Sequence, residues 1–320
     1  MAFSYLNLGA SLYVPATRHD LVASANGDRL PRLRSVILCT EDSILEGDVE
    51  MALANLRQCL PQLRKGGPLV FIRPRSPNIL ARILSMPGVE RVHGFVLPKS
   101  TRDSVRAFSY HIPASSRFVL MPTLETREAF DPFAIAELRT MLSESGLRER
   151  VLALRIGGND ILNLLGIRRS PGRTIYDTAA GPVVASLVAA FRPFGFPLTA
   201  PVFDDFSDAD ALRVEVRRDL EHGLVGKTAI HPSQVSLIEQ EYRVSEADFR
   251  IARRILDDDA PAVFQIDKVM CEPATHANWA ARIMEQAAIY GTATDFSDSG
   301  LGVGDEVRIG ACKVKVLSRS

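Results

Sequence analysis

Between Leu8 and Ile230 the chain carries eight short apolar runs rich in β-forming residues, and most are followed by a stretch of helical periodicity. The runs are Leu8–Val14, Ser35–Thr40, Leu69–Arg73, Gly94–Leu97, Arg117–Met121, Val151–Ile156, Leu198–Phe203 and Val225–Ile230. Segments such as SVILC, LVFI, GFVL and VLALRI are apolar almost throughout, as strands buried on both faces of a parallel sheet should be. Amphipathic stretches lie between them at Gly47–Leu63, Thr101–Tyr110, Pro132–Ser143, Asp177–Phe191 and Asp208–Glu221. Ser207 or Asp208 caps the last of these and Gly223 stops it. This alternation predicts βα units. Eight such units in roughly 230 residues fit a closed (β/α)8 TIM barrel better than an open doubly wound sheet, although periodicity alone does not prove closure.

Beyond the eighth run, helices are expected near Pro232–Tyr242, Glu246–Asp257 and Thr275–Tyr290. Gly291–Gly304 reads as a loop and Glu306–Leu317 as a short hairpin, so the expected organisation is a barrel domain over 1–290 and a tail over 291–320. GLGVG at Gly300–Gly304 neither follows a strand nor opens a helix, and a flexible turn explains it better than a phosphate loop. A length of 320 residues suits one α/β barrel, and 46% apolar with 24% charged residues allows a sizeable core. Lys plus Arg equals Asp plus Glu at 38 each, which gives no electrostatic reason for nucleic acid or an anionic membrane as partner. Cys39, Cys59, Cys271 and Cys312 form no close pair, so zinc and disulfide frameworks are not indicated. The first residues lack a basic then apolar leader pattern, no run approaches a membrane span, and a cytoplasmic location is expected.

In a barrel, chemistry gathers at the C-terminal ends of the strands. Here each run delivers an ionisable group to that rim: Arg18, then Glu41 and Asp42, Arg73, Lys99, Glu125, Asp160, Asp204 and Asp205, and His231. The mixed-sign rim suits an anionic substrate together with a metal cation. Glu125 in PTLET and Asp160 in GGND end neighbouring strands, and two such carboxylates, completed by water and substrate oxygens, suit Mg2+ or Mn2+. Alternatively Glu125 caps the next helix and Asp160 starts one. Gly157 and Gly158 let the backbone approach a ligand, or simply make a tight turn. Arg73 in FIRPRSP is held in an extended, proline-stiffened exit, where a guanidinium can bind a carboxylate or offset developing charge; Arg75 is a weaker candidate. Lys99 is an anion contact or an ion-pair partner. His231 in IHPSQV reads as a hydrogen-bonded structural group before it reads as a catalyst. No GxSxG or GxxxxGK[ST] pattern is present, so serine acyl transfer and P-loop chemistry have no support.

Taken in order, LYVPATRHDLVASA, ILCTEDSI, VFIRPRSP, GFVLPKS, LMPTLET, IGGNDILNLLG, PVFDDFSDADAL, GLVGKTAIHPSQV and VMCEPATHANWAARIM resemble the citrate lyase beta-subunit-like family of barrel lyases, which includes malyl-CoA and citramalyl-CoA lyases. The resemblance runs from about Ser11 to about Met284. It implies that Glu125 and Asp160 hold magnesium, that Arg73 polarises the substrate, that Arg18 and Glu41 line the pocket, and that Asp42 supports it. It also implies carbon–carbon bond cleavage or condensation on a 2-oxo or hydroxy acid through a metal-chelated enolate, with a CoA thioester as a substrate form. A homo-oligomer, a trimer or a multiple of it, is implied as well.

The chain departs from the family at Cys39-Thr40-Glu41-Asp42, where an acid usually stands at the Cys39 position, and at Asn159, where Glu is common. Arg155 lies two residues before the glycine pair. These changes alter the shape and charge of the pocket and leave CoA use open. The cysteine-bearing motif is similar to a subgroup associated with tellurium-resistance gene clusters. Two other functions stay open: a class II aldolase acting on non-CoA substrates, and a non-catalytic protein that binds a metal–oxo-acid complex.

Overall fold

In the computed structural model the apolar runs form strands β1 (Ala10–Pro15), β2 (Ser35–Cys39), β3 (Leu69–Arg73), β4 (Gly94–Leu97), β5 (Val119–Leu124), β6 (Leu154–Ile156), β7 (Leu198–Thr199) and β8 (Lys227–Ala229). They pair in parallel in the order β7-β6-β5-β4-β3-β2-β1-β8. The two ends of that order also meet: Val225 N–H donates to Leu198 O and Ala200 N–H to Gly226 O, each at 2.9 Å. The sheet therefore closes, and the chain is the (β/α)8 barrel that the alternation suggested. The structure describes residues 3–144, 146–293, 306–309 and 312–315. Gly300–Gly304 lies outside the described residues, and of the expected hairpin Glu306–Ile309 and Cys312–Lys315 pair antiparallel.

Helices α1 (Leu21–Ala25), α2 (Val49–Cys59), α3 (Pro77–Leu84), α4 (Arg102–His111), α5 (Pro132–Glu144), α6 (Gly158–Leu164), α7 (Ala180–Phe191), α8 (Ala209–Glu221) and α9 (Pro232–Glu241) follow or connect the strands. Several of their starts carry side-chain caps, the one expected at Asp208 among them. Ser76 accepts from Ile79 N–H, Thr101 makes a capping box with Ser104, and Asp208 accepts from Ala211 N–H at 2.9 Å. Gly223 ends α8 with a φ of 74°, a conformation that costs a glycine little. Among the described residues, no helix is long and apolar enough to cross a membrane. Cys39, Cys59 and Cys271 are free, buried thiols.

Strand register separates the barrel into layers, because paired residues share a face. Ile37, Phe71, Val96 and Met121 on successive strands join one apolar cluster with Leu8 and Val119. Two residues further along the strands stand Cys39, Arg73, Thr123 and Arg155, with Cys39 paired to Arg73 and Thr123 to Arg155. The interior thus turns from apolar to polar within one repeat of each strand, on the side where the substrate mouth of such a barrel lies.

Outside the barrel, Lys227 of β8 is fully buried against α8, with Nζ 2.9 Å from Glu215 Oε1 and 2.7 Å from Asp219 Oδ2. Tyr176 donates to Asp219 Oδ1 at 2.6 Å, Ile175 N–H donates to Glu215 Oε2 at 2.7 Å, and Arg169 bridges Glu215 to Asp204. Burial pushes the Asp219 carboxyl up to about 6, against the opposing pull of Lys227.

Residues from Arg243 onward form a second compact unit. It contains β9 (Val244–Ser245), α10 (Glu246–Ile255), the hairpin β10 (Phe264–Ile266) and β11 (Val269–Cys271), α11 (Pro273–Tyr290) and β12 (Thr292–Ala293), which pairs with β9. Helices α10 and α11 close on a core of their own that includes Val244, Ile251, Ile255, Ala280 and Ile283.

Candidate active site

Arg73 is the last residue of β3 and is 6% exposed. Its Nε donates to Glu41 Oε2 at 2.9 Å, and its Nη2 reaches Asp42 Oδ2 at 3.2 Å and Glu125 Oε1 at 3.0 Å. Lys99, just past β4, closes the network from the other side: its Nζ donates to Glu41 Oε1 at 2.6 Å and to Asp42 Oδ1 at 3.0 Å. Lys99 has a φ of 46°, in the left-handed region that a side chain disfavours. In that conformation its N–H donates to Glu125 Oε1 at 2.7 Å. The loop after β2 is strapped down by Arg75, which donates to the carbonyls of Thr40, Glu41 and Ile44 at 3.3, 3.0 and 2.9 Å. Arg75 thus positions Glu41 and Asp42 from behind.

These elements wall a cavity of about 310 Å³, whose lining includes Asp42, Arg73, Glu125, Arg155 and Asp160. Burial raises the Glu41 carboxyl, but the Arg73 charge and hydrogen bonds with Asp42 and Lys99 outweigh it and hold it at about 2. Asp42 moves the opposite way, raised by burial and by its contact with Glu41. Glu125 is raised to about 7 by burial and by the nearby Asp160 charge, with Arg73 opposing. Arg73 and Lys99 stay charged; burial alone would favour their neutral forms, but the surrounding carboxylates raise both.

Arg73 and Lys99 pair with Glu41, Asp42 and Glu125, while Asp160 and Arg155 line the same cavity beside that network. Among the described residues the hydrogen bonds of Glu125 fall on Oε1, so Oε2 could take a ligand. Asp160, in the first turn of α6, lines the same cavity. A hard divalent cation fits two carboxylate oxygens supplemented by water or substrate oxygens. Among the described residues no cluster of three or more His, Cys, Asp or Glu side chains could hold a metal, which disfavours a closed zinc-type centre. Gly157 is shaped by this arrangement: a Cβ there would lie 2.3 Å from Glu125 Oε2. At Gly158 a Cβ would meet Pro201 Cβ at 2.7 Å, so this glycine serves strand–helix packing.

A cation at Glu125 competes with the proton that burial keeps on it. The affinity for Mg2+ is expected to weaken about tenfold per pH unit below pH 7 and to level off above it. Titration calorimetry across pH 5.5–8.5 measures this; a flat profile would remove Glu125 from the ligand set. Without metal the sign reverses for the fold. The folded state holds this proton up to about 7 and the unfolded chain releases it near 4.5, so the group's contribution to stability falls as pH rises between those values.

Other rim residues go elsewhere. Arg18 pairs with Asp20 at 2.7 Å, its side chain half-exposed, and does not line the cavity. Asp204 pairs with Arg169, and Asp205 accepts from Ser207. His231 caps α9 by accepting from Ser233 N–H at 3.2 Å and stacks on Phe206. Cys39 is buried in the cavity wall and its Sγ accepts from Glu41 N–H at 3.4 Å. Asn159 is exposed at the same wall. Tyr13, Thr123 and Thr228 also line the cavity; Tyr13 and Thr228 sit inside apolar runs and Thr123 just past one, where no local pattern marks them, and Thr123 is the register partner of Arg155.

A model of the carbon–carbon bond lyase family of the TIM-barrel fold matches residues 2–292. The chain is 26% identical over 258 residues to a (3S)-malyl-CoA thioesterase of Cereibacter sphaeroides, covering 76% of this chain and 80% of that one. It is 45% identical over 73 residues to an L-malyl-CoA/beta-methylmalyl-CoA lyase of the same species, 22% of this chain and 23% of that one. Among solved structures, CitE from Mycobacterium tuberculosis in complex with magnesium, acetoacetate and coenzyme A superposes with a TM-score of 0.66 at 22% identity, over 88% of this chain and all of that one. Barrel closure, the order of the strand-end motifs and the family match converge: the chain belongs to the TIM-barrel carbon–carbon bond lyases.

Proposed function

We propose that this lyase is Mg2+-dependent and makes or breaks a carbon–carbon bond next to the oxygenated carbon of a 2-oxo or 2-hydroxy acid, with an acyl-CoA thioester as the other carbon unit. The observation that carries the reading is the pair Glu125 and Asp160 on one cavity wall, with Glu125 Oε2 free of the hydrogen bonds that hold Oε1. The names of the similar malyl-CoA enzymes and the magnesium, acetoacetate and coenzyme A bound by CitE support it. Bound Mg2+ would act as a Lewis acid on the acid's carbonyl oxygen and as a template for its carboxylate.

The chain's own residues divide the remaining work. Arg73, oriented by Glu41 and Asp42, holds positive charge beside Glu125 where a substrate oxygen gains negative charge. Glu41, held at about 2, stays ionised and acts as a positioning residue for Arg73 and Lys99. Asp42 lines the cavity with a raised carboxyl, so it is the group suited to pass a proton to or from the substrate carbon. Lys99 offsets the charge of both. The aldolase reading wants a histidine base by the metal, and no histidine lines this cavity among the described residues.

Purified protein with Mg2+ and pyruvate, glyoxylate or oxaloacetate, offered acyl-CoAs in one arm and aldehydes in the other, tests the reading by mass spectrometry. New product is expected in the acyl-CoA arm and lost on chelation with EDTA. Product in the aldehyde arm alone would establish the aldolase reading, and none in either would overturn the catalytic proposal.

A further inference from the structure

We infer that Arg155, with Thr123 and Thr228, forms a carboxylate-binding subsite one layer beneath Glu125 and Asp160, selecting a 2-oxo or 2-hydroxy acid that carries a second carboxylate. The inference rests on the metal reading above only for where the first carboxylate sits.

Arg155 lies on β6 and is 2% exposed, one of the largest fully buried side chains in the molecule. Its Nη2 donates to Thr228 Oγ1 at 2.6 Å, its Nη1 meets Met121 Sδ at 4.0 Å, and its guanidinium carbon lies 5.6 Å from the Tyr13 ring centre. Among the described residues it has no carboxylate partner. The other buried arginines contrast with it: Arg73 holds Glu41, Asp42 and Glu125, and Arg169 holds Asp204 and Glu215. A guanidinium withdrawn from water without a counter-charge is costly, and a hydroxyl, a thioether and a ring do not neutralise it.

A second observation points to the same place. Thr123 is the register partner of Arg155 on β5, and its Oγ1 is buried with no hydrogen-bond partner among the described residues. Thr123, Arg155 and Thr228 line the same cavity as Glu125 and Asp160. A planar anion there would take the guanidinium's fork and the Thr123 hydroxyl together. Arg155 precedes Gly157 by two residues and Thr123 precedes Glu125 by two, a rise of about 6.6 Å along the strands. A four- or five-carbon diacid spans that step, with one carboxylate at each level.

The experiment compares oxaloacetate with 4-methyl-2-oxopentanoate, which replaces the distal carboxylate by an isopropyl group, each titrated calorimetrically into the full chain with Mg2+. The parent protein is expected to favour oxaloacetate by about 10- to 100-fold, the worth of a hydrogen-bonded charge. Arg155→Gln should erase that preference and leave the isostere's affinity unchanged. Thr123→Val, which keeps shape and charge, should lose a few-fold on oxaloacetate alone, and it serves if Arg155→Gln does not fold. Equal loss for both acids, or no loss for either, overturns the subsite. Asp160→Asn separates the two readings, since it should weaken both acids together. If neither acid shows Mg2+ dependence, the metal reading fails, and malonate titrated into metal-free parent and Arg155→Gln protein decides the subsite. Weaker malonate binding by the variant then supports it, and equal binding overturns it.

Discussion

Asp160→Asn is expected to lower Mg2+-dependent turnover by about 10³-fold, the upper range for removing one charge-stabilising group from an active site. The substitution keeps shape and removes the charge from one wall of the cavity while Arg73, Lys99 and Glu41 stay in place. Glu125→Gln should cost a similar factor with a different signature. Burial already pushes that carboxyl up to about 7, so the amide removes an electrostatic liability and the variant should be at least as stable as the parent in metal-free buffer. Steady-state rates at limiting and saturating Mg2+, read beside thermal melts, separate the two effects. Wild-type rates at limiting Mg2+ in either variant would show that the metal, if used, is held elsewhere.

The largest effect on stability is expected far from that chemistry. Lys227→Met leaves Glu215 and Asp219 buried with Arg169 as the remaining cation on Glu215, and it should cost about 3–5 kcal/mol, the usual result of breaking a buried ion pair from one side. The loss should depend on pH in a defined direction. Burial holds Asp219 at about 6 even while Lys227 pulls it down, and removing the lysine lifts it further. The folded variant can then shed the unpaired charge by binding a proton that the unfolded chain releases near 3.8. Its deficit relative to the parent therefore shrinks as pH falls from 8 to 5. Denaturant midpoints at the two pH values measure this, and a deficit that does not change with pH would mean that Asp219 is not the group left unpaired. Adding Asp219→Asn to Lys227→Met should recover part of the loss at pH 8 by the same argument.

Strand existence was legible because the apolar pattern is local: LVFIR and GFVL keep their bounds at Leu69–Arg73 and Gly94–Leu97. Strand ends were less so. β5 runs over Val119–Leu124, later than Arg117–Met121, since its pairing with β4 extends to Pro122 and with β6 to Leu124. That shift places Glu125 directly at the strand's end. A helix from Asp160 is one of the two readings that GGNDILNLLG allows, and α6 starts two residues earlier, at Gly158.

The rim shows where sequence stops. Charged residues after every apolar run were countable, yet only those after β2 to β6 gather around the cavity. Arg18 turns to Asp20, Asp204 to Arg169 and His231 to the start of α9, since a nearer partner satisfies each. Arg155 and Lys227 show the converse. Both are long cations inside apolar runs, one turned into the barrel and one outward to α8, and no local pattern says which carboxylates will meet them.

The sequence by itself determined the βα repeat, the order of the strand-end motifs and the pairing of Glu125 with Asp160 as neighbours, because each follows from periodicity and chain order. Only the tertiary structure decided that Arg73 is shared by three carboxylates, that Arg155 meets none among the described residues, and that Lys227 is neutralised outside the barrel. Those outcomes depend on which side chains packing brings within a few ångströms across distant segments, where burial makes each unpaired charge costly.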